Sequence, residues 1–114
     1  MTDGLVLTAI ASPRRREILR LVWNRECPAG DIAAAMPDVT FGAVSLQLRA
    51  LKAAGAVAVR VEGKQRLYRA NRERLKHVAS ALQQMWDDSL WRLKLLAELE
   101  QTRRGPAPQR RRKK

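Results

Sequence analysis

The sequence is poor in the residues that most catalytic and metal centres need. It contains one cysteine, Cys27, and one histidine, His77. A single cysteine excludes an intramolecular disulfide and fits a reducing compartment. A single histidine gives little from which to assemble a Ser-His-acid set, and no glycine-rich phosphate loop is present. We therefore expect no enzyme activity and no cofactor.

Long apolar runs are missing as well. No stretch approaches the roughly 18 consecutive apolar residues of a membrane span, and the start of the chain lacks the features of a signal peptide. With 114 residues, 46% of them hydrophobic, the chain has the size of one domain with a small core, which association would help to stabilise. We expect a cytoplasmic protein with no membrane partner.

Acidic residues are scarce relative to basic ones. Twenty-three Lys and Arg against eleven Asp and Glu give a net charge of +12. Residues 103–114 hold seven of the cations and no acid, which leaves +5 on residues 1–102. Such an excess favours polyanions, because phosphates that are neutralised release their counterions. A solvated surface with a basic tail would have the same charge, so charge alone does not identify the partner.

Short helical patterns fill the first third of the sequence. Residues 4–10 form a short apolar segment, and residues 12–23 follow with Ser12 as a natural N-cap and a proline in the first turn. Residues 27–36 predict another short helix, although Pro28 stands where a capping hydroxyl is expected. The break PDVT then separates this helix from the next one.

Residues 40–55, TFGAVSLQLRALKAAG, predict a helix with two different faces. Val44, Leu48 and Leu51 recur at helical spacing and form a core face. The other face mixes small, hydrogen-bonding, apolar and cationic side chains, which solubility alone does not require. Phe41 could pack against the turn or touch a base, and packing is the favoured interpretation. The candidate contact residues are Thr40, Phe41, Gly42, Ser45, Leu46, Gln47, Arg49 and Lys52.

Past Gly55 the pattern changes to the alternation of strands. Val57, Val59 and Val61 predict one face of a strand, EGKQ is a turn signal, and RLYRA returns. These features predict a two-stranded hairpin with a basic rim, made of Arg60, Lys64, Arg66 and Arg69. Arg60, Lys64 and Arg66 are candidate nucleic-acid contacts.

A long amphipathic helix is predicted from Asn71, a plausible cap, to about Glu100. About thirty helical residues span roughly 45 Å, more than so small a domain can cover, so its apolar stripe is expected to pack on another subunit. The predicted folded domain is 1–101, and 102–114 is predicted to be a disordered basic tail.

These elements together predict a winged helix-turn-helix, a mainly α fold with a small β-hairpin. The helix that follows PDVT would then enter the major groove. There Gly42 lets the backbone approach closely, Leu46 can lie against a thymine methyl, and Arg49 can reach guanine or phosphate. Ser45 can donate or accept, and Gln47 can bond adenine or phosphate.

Over roughly residues 5–100 the chain resembles the ArsR family of bacterial winged-helix repressors. SPRRREILRLV resembles the second helix of that family, VSLQLRALKAAGAV its recognition helix and EGKQRLYRA its wing. Gly42 and Gln47 stand where Ser and His are common, which leaves the operator sequence open. The resemblance implies a homodimer, built by the first and last helices, on a palindromic operator in double-stranded DNA. The implied interface residues are Leu5, Val6, Ile10, Leu75, Val78, Leu82, Trp86, Leu90 and Leu93.

Many members of that family release DNA on binding a metal ion or arsenical, which needs two or three cysteines or several His and carboxylate ligands. Asp87 and Asp88 lie nearly three turns beyond His77 on the predicted helix, too far to share an ion with it, so we expect no metal site. MWDDSLWRLKLLAELE is similar to a metal-free subgroup whose members often adjoin genes for START-like proteins or act as autorepressors. Trp86 and Leu90 fit a plain dimer core equally well.

The sequence therefore predicts a DNA-binding transcription regulator, a homodimeric repressor of its own or a neighbouring operon. Two alternatives stay open. One is a redox-sensing regulator, in which Arg25 and a helix start would lower the pKa of the Cys27 thiol. The other is a non-specific, chromatin-type nucleic-acid binder in which the basic tail does most of the binding.

Overall fold

The computed structural model describes the backbone of residues 4–104 and the side chains of residues 4–88 and 96–99. The elements follow in the order α1 (Gly4–Ile10), α2 (Pro13–Leu21), β1 (Cys27–Pro28), α3 (Ala29–Ala34), α4 (Phe41–Ala53), β2 (Val57–Glu62), β3 (Gln65–Ala70) and α5 (Ala79–Arg104). The chain divides into two compact units, Met1–Leu82 and Gln83–Lys114. α5 begins in the first unit and makes up the described part of the second.

Side-chain hydroxyls cap the starts of α2 and α4, as predicted. The Ser12 hydroxyl accepts a hydrogen bond from the N–H of Arg15 at 3.3 Å, and the Thr40 hydroxyl accepts one from the N–H of Ala43 at 3.0 Å. α4 ends where Gly55 adopts a φ of +76°, the left-handed conformation that a helix C-terminus favours. The predicted start of α2 and both predicted ends of α4 are therefore confirmed. α2 ends at Leu21, two residues before the end of the predicted segment.

The sheet has three antiparallel strands in the order β1-β3-β2. Glu62 pairs with Gln65 around a two-residue loop, so the predicted hairpin is confirmed. Val57 is buried but Val61 is 66% exposed, because only the base of the hairpin joins the core. The third strand, β1, lies where the sequence predicted the start of a helix over residues 27–36, and that helix, α3, spans only Ala29–Ala34. Two residues are too few to show an alternating pattern, and their partners in β3 are distant in sequence.

α5 begins later than predicted. The sequence pattern places its start at Asn71, but the helix starts at Ala79 and residues 72–78 form a succession of turns. Asn71 still acts as a cap, because its side-chain oxygen accepts from a backbone N–H three residues on at 3.1 Å. Leu75 and Val78 stay buried. The apolar spacing that predicted a helix is thus satisfied here by tighter turns.

The far end of α5 extends beyond the prediction. The helix ends at Arg104 rather than near Glu100, so the first residues of the predicted tail are helical. Residues 105–114 lie outside the described residues, as do the side chains of Leu90 and Leu93. No helix within residues 4–104 is long and apolar enough to cross a membrane.

The core of the first unit lies where α2, α3 and the sheet pack around α4. Burial of these aliphatic side chains is the main stabilising term, at about 25 cal/mol per Å² of apolar surface. No polar or charged residue is buried among those whose side chains are described. Candidate functional groups of this part of the chain therefore lie at its surface. The largest fully buried side chains are Ile18, Leu19, Ile32, Met36, Leu48, Leu51, Leu75 and Leu82.

Candidate nucleic-acid interface

The outward face of α4 is exposed along its length. Leu46 is 60% exposed, and Gly42 and Arg49 are exposed as well. Successive residues advance by about 100° around a helix, which places these three residues on the side of α4 away from its core face. The predicted two-faced character is confirmed by the buried residues Val44, Leu48 and Leu51.

The remaining predicted contact residues of α4 lie at its start and on its flanks. Thr40 and Lys52 are exposed, and Ser45 and Gln47 are half-buried. Phe41 is 58% exposed, so packing against the turn, the interpretation favoured from the sequence, covers less than half of the side chain. Phe41 is the first residue of α4, at the end of the helix that would enter a groove.

A shallow, open groove of about 600 Å³ runs along the outer surface of α4. Its apolar lining comes from Leu46 and two alanines one and two turns along the helix, and its cations from Arg15, Arg49 and Lys52. Apolar contacts suit thymine methyl groups, and guanidinium and ammonium groups suit phosphates and guanine. The groove thus combines the two kinds of contact that a DNA groove offers.

An ion pair holds the turn that precedes α4. The guanidinium of Arg14 donates to both carboxylate oxygens of Asp38, at 3.2 and 2.7 Å. These bonds lower the pKa of Asp38 and raise that of Arg14, so the pair stays ionised at neutral pH. The start of α2 is thereby fixed to the turn between α3 and α4.

The hairpin carries a basic tip and one neutralised cation. Lys64 lies in the two-residue loop, and Arg66 is exposed beside it. Arg60 instead donates to both carboxylate oxygens of Glu26, at 3.0 and 2.8 Å, and lies 3.5 Å from an oxygen of Glu62. The bond from Arg60 lowers the pKa of Glu26. Arg60 therefore fixes the hairpin to the segment before β1, and its charge is already compensated.

Two further arginines bind α4, and local sequence patterns did not indicate either. The Nε of Arg74 donates to the carbonyl oxygen of Ala54 at 3.2 Å, which satisfies a carbonyl at the C-terminus of α4. The Nη1 of Arg15 donates to the Oε1 of Gln47 at 2.9 Å. Both bonds join residues far apart in sequence, so no helical or strand periodicity could reveal them.

The predicted dimer residues differ in how far they are exposed within the single chain. In the described part of the chain, Leu5 is 61% exposed, and its α1 neighbour Leu7 is 51% exposed. Ile10 and Trp86 are half-buried. The predicted interface residues that lie in the core of the chain itself are Val6, Leu75, Val78 and Leu82.

Cys27 and His77 lie in very different surroundings. Cys27 is buried in β1, with its Sγ 3.6 Å from the carbonyl oxygen of Leu21. Oxidants reach a buried thiol poorly, which does not favour the redox alternative. His77 is exposed. Among the side chains that the structure describes, no three His, Cys, Asp or Glu residues lie close enough together to hold a metal ion.

These features define a winged helix-turn-helix DNA-binding protein. They are a three-helix core, a helix-turn-helix whose last helix has two faces, and a basic hairpin. The family model described as bacterial regulatory protein, arsR family, matches residues 12–59, from the cap of α2 into β2. No curated protein sequence matches the chain significantly.

Solved structures agree with this assignment. A homodimeric winged helix-turn-helix DNA-binding domain from Mycobacterium bovis, described as a possible ArsR-family regulator, is 32% identical, with a TM-score of 0.64 over 75% of this chain and 78% of that one. An ArsR-like transcriptional regulator from Rhodococcus is 31% identical, with a TM-score of 0.61 over 83% and 89% of the two chains. HlyU from Vibrio cholerae shares the fold at 24% identity, with a TM-score of 0.65 over 72% and 88%.

The chain therefore belongs to the ArsR family of bacterial transcription regulators.

Proposed function

We propose that the protein is a homodimeric repressor that binds a palindromic DNA operator and controls its own or a neighbouring operon. The observation that carries this proposal is the exposed face of α4. A methyl group at Gly42 would come no closer than 3.9 Å to the nearest atom, the Thr40 hydroxyl. Gly42 is the second residue of α4, and packing within the chain does not require a glycine there. Close approach to the floor of a major groove would explain it.

The hairpin supports the same orientation on DNA. Lys64 and Arg66 lie at its exposed tip, where a cation can bind the sugar-phosphate backbone beside the groove that α4 occupies. Phosphate contacts of this kind position a protein, while the side chains of the recognition helix select the bases.

A dimer is proposed because one winged helix contacts only one half-site. Leu5 and Leu7 are exposed apolar side chains of α1, and burying such side chains between two copies of the chain would remove apolar surface from water. The M. bovis relative is homodimeric. Two recognition helices related by a two-fold axis would contact half-sites about 34–36 Å apart, on one side of the duplex.

Selection of binding sites from random-sequence DNA, followed by footprinting, tests this proposal. The full chain should enrich an inverted repeat and protect both halves of it. A reporter promoter that carries the repeat should lose expression when the protein is produced, while one with a scrambled half-site should not. Uniform coating of DNA without an enriched sequence would overturn the proposal and favour the chromatin-type alternative. Activation of the reporter would overturn the repressor role alone.

A further inference from the structure

One guanidinium connects α1, α2 and α4. Arg15, near the start of α2, donates from Nε to the carbonyl oxygen of Ala9 at 2.7 Å and from Nη2 to that of Thr8 at 3.2 Å. Its Nη1 donates to the Oε1 of Gln47 on α4 at 2.9 Å. The side chain of Arg15 is half-buried. Its guanidinium is held from three directions by these hydrogen bonds. Gln47 is thus bound to a side chain that cannot easily move.

The chemistry of this bond fixes the orientation of the Gln47 amide. A guanidinium has only donors, so the atom of Gln47 that faces Arg15 must be the carbonyl oxygen. The NH2 group then points away from Arg15, and it carries two donors. Without Arg15 the amide could rotate by half a turn and present either end. Both Arg15 and Gln47 line the open groove on the outer surface of α4.

We propose that Arg15 is a positioning residue that makes Gln47 a hydrogen-bond donor toward DNA and so sets its base preference. The inference rests on the proposed function, because it requires α4 to lie in the major groove. A glutamine that reads adenine uses its oxygen as the acceptor for N6 and its nitrogen as the donor to N7. Because Oε1 faces Arg15 and the NH2 group faces away from it, Gln47 favours an edge with acceptors alone. Guanine, with O6 and N7, is such an edge.

Arg16 provides a matched control. Its Nη1 donates to the carbonyl oxygens of Ile10 and Ala11, at 2.8 and 3.1 Å, so it binds the same end of α1 as Arg15 does. The described hydrogen bonds of the Arg16 side chain all go to this end of α1. Arg15→Met and Arg16→Met both remove a charge and an anchor of α1, and only the first also releases Gln47.

The test measures base preference at each operator position for the full chain and its variants, by competition between operators that differ at single base pairs. Gln47→Met should identify the base pair that Gln47 contacts. Arg15→Met should reduce the preference for guanine over adenine at that same pair, by about fivefold or more. In the Gln47→Met background, Arg15→Met should have no further effect on base preference. Arg16→Met should leave the preference unchanged.

A second variant keeps the test valid if Arg15→Met does not fold. Gln47→Glu retains an acceptor for Arg15 but presents a second oxygen to DNA, so the preference should move to cytosine, whose N4 donates. Retention of the guanine preference in Gln47→Glu would overturn the inference. The inference would also be overturned if Arg15→Met kept the preference for guanine over adenine, or if Gln47→Met changed the preference at no base pair. A wild-type protein without any base preference would overturn the proposed function itself, and the inference with it.

Discussion

At the residue scale, two constraints at Gly55 favour glycine over residues with a Cβ. Its φ is +76°, and a Cβ there would lie 3.1 Å from the Nε of Arg74, the group that caps α4. Gly55→Ala should therefore destabilise the fold by about 1–2 kcal/mol, measured by urea or thermal unfolding. Gly30→Ala is the control, because no atom lies within 4 Å of the added carbon and the backbone there needs no positive φ. Equal stability of the two variants would contradict this account of the end of α4.

Individual residues also show where prediction from sequence ends. The caps Ser12 and Thr40 were predictable, because a hydroxyl before a helical pattern satisfies nearby N–H groups. The roles of Arg15 and Arg60 were not, since their partners Gln47 and Glu26 lie far away in the chain. An arginine in a local pattern looks the same whether it faces solvent, DNA or a carboxylate brought near by folding.

At the scale of elements, the hairpin should contact phosphate through its tip and not through Arg60. Lys64→Ala should weaken binding to all DNA sequences about equally and reduce the slope of log K against log salt by roughly one. Arg60→Ala should change that slope less, because Glu26 and Glu62 already compensate its charge. Titrations at several salt concentrations measure both slopes. An equal drop in the two variants would show that Arg60 leaves Glu26 to bind DNA.

The predictable elements are those whose pattern is local. The periodicity of α4 and the turn signal of the β2–β3 hairpin lie within a few residues, and both were predicted correctly. β1 is formed by a cysteine and a proline that pair with β3, so only the completed hairpin gives them a partner. The start of α5 was misplaced because apolar residues three or four apart fit turns as well as a helix, as Leu75 and Val78 show.

At the scale of the whole molecule, substitutions at two neighbouring residues of α1 should have different effects, one on association and the other on folding. Leu5 is 61% exposed, whereas Val6 is 1% exposed. Leu5→Lys should leave the chain folded, shift it from dimer to monomer in sedimentation experiments and weaken operator binding. Val6→Ala should instead lower the free energy of unfolding by about 2 kcal/mol, because two buried methyl groups are lost. A Leu5→Lys protein that remains dimeric would place the interface elsewhere.

The central claim is that the outer face of α4 reads the operator in both protomers. Its most direct test is a parallel selection of binding sites by the wild-type protein and by Arg49→Ala. Arg20→Ala is the control, since it removes an exposed cation from the last turn of α2. Wild type and Arg20→Ala should enrich the same inverted repeat. Arg49→Ala should lose the preference at one base pair, at symmetric positions in both half-sites. An unchanged motif for Arg49→Ala would contradict the claim.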